Sequence, residues 1–314
     1  MSLRPLPSLP EHPKPATHEQ IAASPTAWLP LTTFPAAGSA VRLGVSGGAD
    51  SLALLALAVA AGCDATAVHV DHGQRPGSAH EADAVRDAAR AIGAHFEGHT
   101  LDVQAGSNLE ARLRAARYVV LGKDAATGHT ADDQAETVLI NLLRGAGIAG
   151  LGAMTPGFRR PILGLRRSDT EAICAQLGWT PFSDPSNTDP SHLRNRVRHE
   201  LMELLSDLAD RDVVPLLVRT AGHARSAAAV LDRLADELDP TDARALSRAP
   251  QAVAAVAVQR WIRASSDTNH PIDAAAVARV LAVAAGDAVA AEVVGGLRVA
   301  RSEQRLRIEP TGTS

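Results

Sequence analysis

The stretch VRLGVSGGADS, residues 41–51, constrains the fold of this chain more than any other. Residues 41–45 are mostly apolar and read as a buried strand. SGGADS then turns the chain, and the Ala/Leu-rich run over roughly 50–62 reads as a helix. A strand passing through a tight turn into a helix is the opening unit of an α/β sheet. The turn supplies Ser46, Gly47, Gly48, Ala49 and Ser51, with one carboxylate at Asp50. Glycines let the backbone come close to an anion. The first free N–H groups of the helix point at that anion, and the helix dipole favours its charge. The stretch is therefore a candidate phosphate cradle. It has no lysine in a G-x-x-x-x-G-K-[ST] pattern and no G-x-G-x-x-G. An ordinary glycine turn is the competing reading, and five specified positions at a strand-to-helix junction weigh against it.

The S-G-G-x-D-S pattern resembles the PP-loop of the ATP pyrophosphatase superfamily. That resemblance implies binding of ATP and its cleavage between the α and β phosphates.

The strand–helix alternation continues downstream. Residues 65–70 read as a second buried strand that ends in Asp71-His72-Gly73. Ligands of open α/β sheets bind outside the carboxyl ends of the strands, which makes Asp71 and His72 candidates for nucleotide contact. A solvent-facing turn is the plainer reading of His72. Residues 79–92 read as an amphipathic helix and 94–101 as a third strand. The helix expected over 107–121 carries Arg114 and Arg117 on one face. Either guanidinium could clamp a phosphate, or both could lie on a solvated face beside Glu110.

A fourth strand is expected at 125–128, followed by GHTADDQAETVLINLL. His129 precedes the helix, and Asp132, Asp133 and Glu136 lie in its first turns. Carboxylates there ordinarily serve the helix dipole. Three of them with a histidine exceed that need, and could hold Mg²⁺ or a substrate ammonium. The run GAGIAG at 145–150 follows a helix rather than a strand, so it is no dinucleotide fingerprint. The glycines from 145 to 157 read as a mobile loop beside the site, a candidate lid.

Only two lysines occur, Lys14 and Lys123, so the basic residues are nearly all arginine. They concentrate over 159–204. Within SHLRNRVRHELMELL, Arg194, Asn195, Arg196 and Arg198 open a helix and suit contact with an RNA backbone. A surface arginine cluster is the alternative. Beyond about 205 the composition shifts to helices over 209–239, 249–264 and 273–285, then a small hairpin over 291–309. Residues 1–38 hold eight prolines and read as an irregular arm, with a short helix near His18–Ala23.

At 314 residues the chain can build two cores, and its 46% hydrophobic and 21% charged content are those of a globular protein. The net charge of −4 gives no global sign of nucleic-acid binding, so any RNA contact must be local. Cys63 and Cys174 form no C-x-x-C pair, so neither zinc nor a redox dithiol is expected. No apolar run is long enough for a transmembrane helix, and no secretory signal is evident. The expected location is cytoplasmic.

The order of motifs is similar to that of the bacterial tRNA(Ile)-lysidine synthetase family. SGGADS at 46–51 is followed by HVDHGQR at 69–75, NLEARLRAARY at 108–118 and GHTADDQAET at 128–137. RPILGLRR at 160–167 and DPSNTDPSHLRNRVRHELMELL at 184–205 complete the series. The resemblance covers roughly 165 residues and implies a short member that lacks the second accessory domain.

The implied fold class is α/β: an open, mostly parallel, Rossmann-like PP-loop sheet of the adenine nucleotide alpha-hydrolase type. A mainly helical C-terminal domain with a small hairpin would follow. The implied division is an N-terminal arm over 1–38, a catalytic domain over 39–208 and a tRNA-recognition domain over 209–314. The implied reaction uses ATP, Mg²⁺ and L-lysine to convert the wobble cytidine of a tRNA(Ile) with a CAU anticodon into lysidine. The base's O2 attacks the α-phosphate and pyrophosphate leaves. The lysine amine then attacks C2 and AMP leaves.

For such chemistry, Ser46–Ser51, Asp71 and His72 would bind ATP, and Asp50 with Asp133 would hold Mg²⁺. Arg114 or Arg117 would add charge at the α-phosphate. Asp132, Asp133 and Glu136 would hold the lysine ammonium, with His129 as a proton acceptor. Arg194, Asn195, Arg196 and Arg198 would hold the tRNA. Family members of this length are often homodimers. The rival readings are a PP-loop tRNA-thiolating enzyme, another PP-loop amide or amidine ligase, and a non-catalytic ATP-binding module.

Overall fold

A computed structural model of the chain describes residues 24–71, 78–101, 109–182, 189–266 and 272–311. His72 and the helix expected near His18–Ala23 lie outside these residues. Two compact units divide the chain. One holds the described residues up to Gly145 together with Ala153–Arg219. The other holds Ala146–Gly152 and the described residues from Thr220 onward. The division at 219–220 falls inside one helix, eleven residues beyond the boundary expected at 208–209.

The first unit is built on four parallel strands: β1 (Ala40–Gly44), β2 (Asp64–Asp71), β3 (His95–Thr100) and β4 (Ala126–Thr127). Their order across the sheet is β3-β2-β1-β4. The register places Gly44 beside Val68 on one side and beside Thr127 on the other. Helices α1 (Ala49–Ala60), α2 (Ser78–Ala91) and α3 (Leu109–Leu121) connect the strands. The chain steps outward from β1 to β3, then returns to β1's other edge as β4. That reversal opens a crevice at the carboxyl ends of β1 and β4, where ligands of such sheets bind.

After Asp50, α1 carries no charge, and Ser51 through Ala58 are all buried. A helix apolar on every side must be covered on every side. The sheet covers one face, and α6 (Arg167–Gln176) covers another through Ile173 and Cys174. A 3-10 helix over Ser24–Leu31 also packs on α1, and Trp28, Leu29 and Phe34 lie against the core. Residues 24–38 are thus part of this unit rather than a loose arm. The Thr33 N–H donates to the Pro161 carbonyl at 2.9 Å, which ties this segment to the stretch before α6.

α4 (Ala131–Leu143) follows β4. Later come α7 (Leu193–Arg196), a π-helical turn over Val197–Leu201 and α8 (Met202–Ala209). Val197, Leu201, Met202 and Leu205 pack on Leu139 and Ile140 of α4.

The stretch 209–239, which reads as one long helix or two, holds the single helix α9 (Val214–Asp236). In the second unit it is followed by α10 (Ala243–Arg248), α11 (Gln251–Ala264) and α12 (Ala274–Ala285). These surround a core containing Leu246, Val258, Ile262, Val280 and Val299. The short α5 (Ile148–Leu151) also belongs here, and Arg225 donates to the Gly152 carbonyl at 2.7 Å. The expected hairpin is a three-stranded antiparallel sheet: β5 (Ala290–Val293), β6 (Leu297–Ser302) and β7 (Arg305–Pro310). The segment EVVGGLRVA folds back at Gly295 and Gly296, both at positive φ, and so supplies two strands instead of one.

Candidate active site

The SGGADS loop runs from the end of β1 into α1. Gly47 has φ +90°, which favours glycine, and the Ser46 and Gly47 N–H groups donate to the Ser51 hydroxyl at 3.1 and 3.2 Å. Ser51 donates in turn to the Gly48 carbonyl at 2.9 Å. The loop is closed by its own serine. Its entry is set by a residue that sequence reasoning passed over. His69, buried on β2, places Nδ1 2.9 Å from the Val45 carbonyl. A side chain there occupies the next rung of the ladder, and β1 ends where the loop must begin.

β4 brings the second motif beside the loop. Gly128 lies so close that a Cβ there would sit 2.7 Å from the Asp50 carbonyl oxygen. His129 follows, with Nδ1 2.8 Å from the Thr127 hydroxyl. Thr130 caps α4, and both its N–H and its hydroxyl donate to Asp133 Oδ2, at 2.9 and 3.1 Å.

The structure joins the two motifs through α6. Arg167 places Nε 3.7 Å from Asp50 Oδ2, and its Nη2 3.5 Å from Asp133 Oδ1 and 3.4 Å from Glu136 Oε1. Arg194 donates to Asp133 and Glu136, each at 2.9 Å. Arg198 reaches Glu136 at 2.6 Å through Nε and at 3.1 Å through Nη2. Glu136 is 2% exposed, so three guanidiniums converge on a carboxylate shut away from water. Burial pushes the Asp133 carboxyl up, but the Thr130 N–H and the Arg194 and Arg167 charges outweigh it and hold it below the ordinary range. Asp50 goes the other way. Burial raises it to about 6, against the opposing hydrogen bond from Thr170.

Other expected residues have different surroundings. Asp132 faces away from this network: Arg166 grips it at 3.0 and 3.1 Å, and the Arg167 N–H donates to it at 2.8 Å. Arg166 also pairs with Asp212. Asp132 therefore fastens the start of α6. Arg196 is exposed and pairs with Glu200, while Asn195 is buried and donates to the Asp189 carbonyl at 2.8 Å. Asp71 is half-buried at the end of β2, and Arg117 is half-buried on α3. The side chain of Arg114 lies outside the described residues.

One contact ties the C-terminal part of the glycine-rich segment to α4. Gln134, 1% exposed, donates to the Met154 carbonyl at 3.0 Å and accepts from the Met154 N–H at 2.9 Å. Arg167, His69, Gly128 and Gln134 all lie inside motifs visible in the sequence. What the sequence lacked was the strand order that makes β1 and β4 neighbours.

A phosphate-ready loop at the switch point, opposite an arginine–carboxylate network, defines a PP-loop protein. The PP-loop domain family accordingly matches residues 25–205. The chain is 44% identical over 257 residues to the tRNA(Ile)-lysidine synthase of Nocardia farcinica, covering 76% of this chain and 80% of that one. It is 40% identical over 247 residues to that of Mycobacterium tuberculosis, covering 72% and 76%. The chain belongs to the tRNA(Ile)-lysidine synthase family. Among solved structures, the U34-tRNA thiolase NcsA of Methanococcus maripaludis is similar at 18% identity and a TM-score of 0.51, over 67% of this chain and 80% of that one. That likeness concerns the fold alone. Cys63 and Cys174 are both buried, and burial pushes the Cys174 thiol up to about 12, unlike a reactive sulfur carrier. Among the described residues, no helix is long and apolar enough to cross a membrane.

Proposed function

We propose that this chain ligates L-lysine to C2 of the wobble cytidine in a tRNA(Ile) bearing a CAU anticodon, with ATP converted to AMP and pyrophosphate. The observation that carries the reading is Arg167, which links the PP-loop carboxylate Asp50 to Asp133 and Glu136. It joins the part that breaks ATP to the part that sets this family apart.

In this reading the base's O2 attacks the α-phosphate. The Ser46–Ser51 backbone and the start of α1 receive the departing pyrophosphate. Arg167, Arg194 and Arg198 face Asp50, Asp133 and Glu136 three to three, and the guanidinium N–H groups not spent on these carboxylates suit phosphate oxygens. Arg194 and Arg198 then serve the site itself, and Asp133 and Glu136 aim them. His129 stands ready to accept the proton that the lysine ammonium must lose.

Mg²⁺ fits Asp50. That carboxylate is half-buried, lifted in pKa and faced by Arg167 only at 3.7 Å. Asp133 does not fit, because the Thr130 donors hold one of its oxygens and three arginines the other. A cation held by Asp50 would neutralise charge on the leaving pyrophosphate. The reading also carries a cytoplasmic location, a homodimer, and tRNA recognition by the second unit.

The test is transfer of labelled lysine to an unmodified isoleucine tRNA transcript with ATP and Mg²⁺. Lysine in the RNA, with one AMP and one pyrophosphate per event, is the expected result. Incorporation of sulfur or ammonia in its place overturns the proposal.

A further inference from the structure

We infer that Thr170 is a positioning residue for the reaction: its hydroxyl fixes the carboxylate of Asp50 so that one oxygen faces the reacting phosphates. The inference rests on the function proposed above and adds a residue to it.

Thr170 lies in the first turns of α6 and is fully buried. Its hydroxyl is 2.5 Å from Asp50 Oδ1 and 2.7 Å from the Arg167 carbonyl. A buried threonine on a helix ordinarily needs only the second contact, to a carbonyl one turn back. The first contact reaches across to another helix, 120 residues earlier in the chain.

Residues 167, 170 and 174 share one face of a helix. All three look toward the start of α1: Arg167 toward Asp50 Oδ2, Thr170 toward Asp50 Oδ1, and Cys174 toward the Ala49 carbonyl at 3.6 Å. Asp50 is thereby held on two sides. Gly128 packs against its carbonyl, and Thr170 engages one carboxylate oxygen. With Oδ1 engaged by the hydroxyl, Oδ2, which has only the Arg167 guanidinium at 3.7 Å, is the oxygen left for a cation. A carboxylate free to rotate about χ2 would present neither oxygen reliably, and small misplacements at a reacting centre are costly.

Thr170→Val keeps the shape and removes the hydroxyl, and Thr170→Ser restores it. The expected result for the valine variant is a fall in kcat for pyrophosphate release of about 10²-fold, with KM for lysine and tRNA unchanged. The serine variant should return to within about threefold of the native rate. A second readout is calorimetric binding of ATP with and without Mg²⁺. The valine variant should bind ATP alone like the native chain but lose the increment that Mg²⁺ adds.

Valine turnover within about twofold of native, or a serine variant as impaired as the valine one, overturns the inference. If the native chain binds ATP yet transfers no lysine, the proposed function fails. The Mg²⁺ increment still decides the role of Thr170.

Discussion

At the scale of the residue, the half-buried Asp50 and the buried Glu136 are two carboxylates treated in opposite ways. Three arginines compensate Glu136, whereas Asp50 has one hydroxyl and a distant guanidinium. In the unfolded chain Asp50 titrates near 3.8, and in the folded chain near 6. The folded state favours its protonated form. That contribution is fully present below pH 3.8 and is lost as pH rises through about 6. At neutral pH the native chain carries the cost of an under-compensated charge. Asp50→Asn removes that cost, on the order of 2 kcal/mol, together with the activity. Thermal melts in Mg²⁺-free buffer should show the variant more stable than the native chain at pH 7.5, with the gap closing below pH 5. A variant that is less stable at pH 7.5 would refute this account of Asp50.

At the scale of the element, α4 carries most of the site, and its polar residues divide the work. Asp133 and Glu136 hold the arginines, Asp132 holds α6 through Arg166, and Gln134 holds the Met154 peptide. Gln134→Leu should free both Met154 groups at a cost of about 1–3 kcal/mol. Hydrogen exchange at the Met154 amide should rise by about tenfold or more, with proteolysis appearing over 145–157. Unchanged exchange would mean that the clamp does not order this segment.

Much of this was legible in the sequence. The strand–turn–helix of SGGADS, the acidic cluster and the arginine-rich segment were each visible, because periodicity and turn chemistry are local. Their relation was not. β4 is two residues long and gives almost no signal, yet its place beside β1 decides that the acidic motif meets the PP-loop. Arg194 and Arg198 read from sequence as part of an RNA-facing group with Asn195 and Arg196 for the same reason. A helix reads as basic from its own residues, and only the fold reveals a buried acidic partner.

At the scale of the molecule, the division of the chain into two compact units falls within α9. Val214, Leu217 and Val218 from its first turns pack on Ala131 and Ala135 of α4. A chain ending at residue 219 should therefore keep ATP binding and lose affinity for tRNA, if recognition belongs to the second unit. A chain ending at residue 210 loses the buried Val214 as well. It should be less stable by about 2 kcal/mol or more, read as a lower midpoint in urea. Equal loss of ATP and tRNA binding in the longer fragment would give the second unit a structural role instead.

The burial of Glu136 also separates two kinds of electrostatics in one enzyme. Ions in solution screen charges that they can approach, over about 10 Å at 0.1 M salt. They cannot approach a carboxylate that is 2% exposed beneath three guanidiniums. Contacts with a polynucleotide backbone, by contrast, weaken steeply as salt rises, because they release counterions. Rising ionic strength should strip the RNA from this protein long before it disturbs the arginine network. Affinity for the macromolecule can then be tuned by the medium while the geometry that performs the chemistry stays fixed.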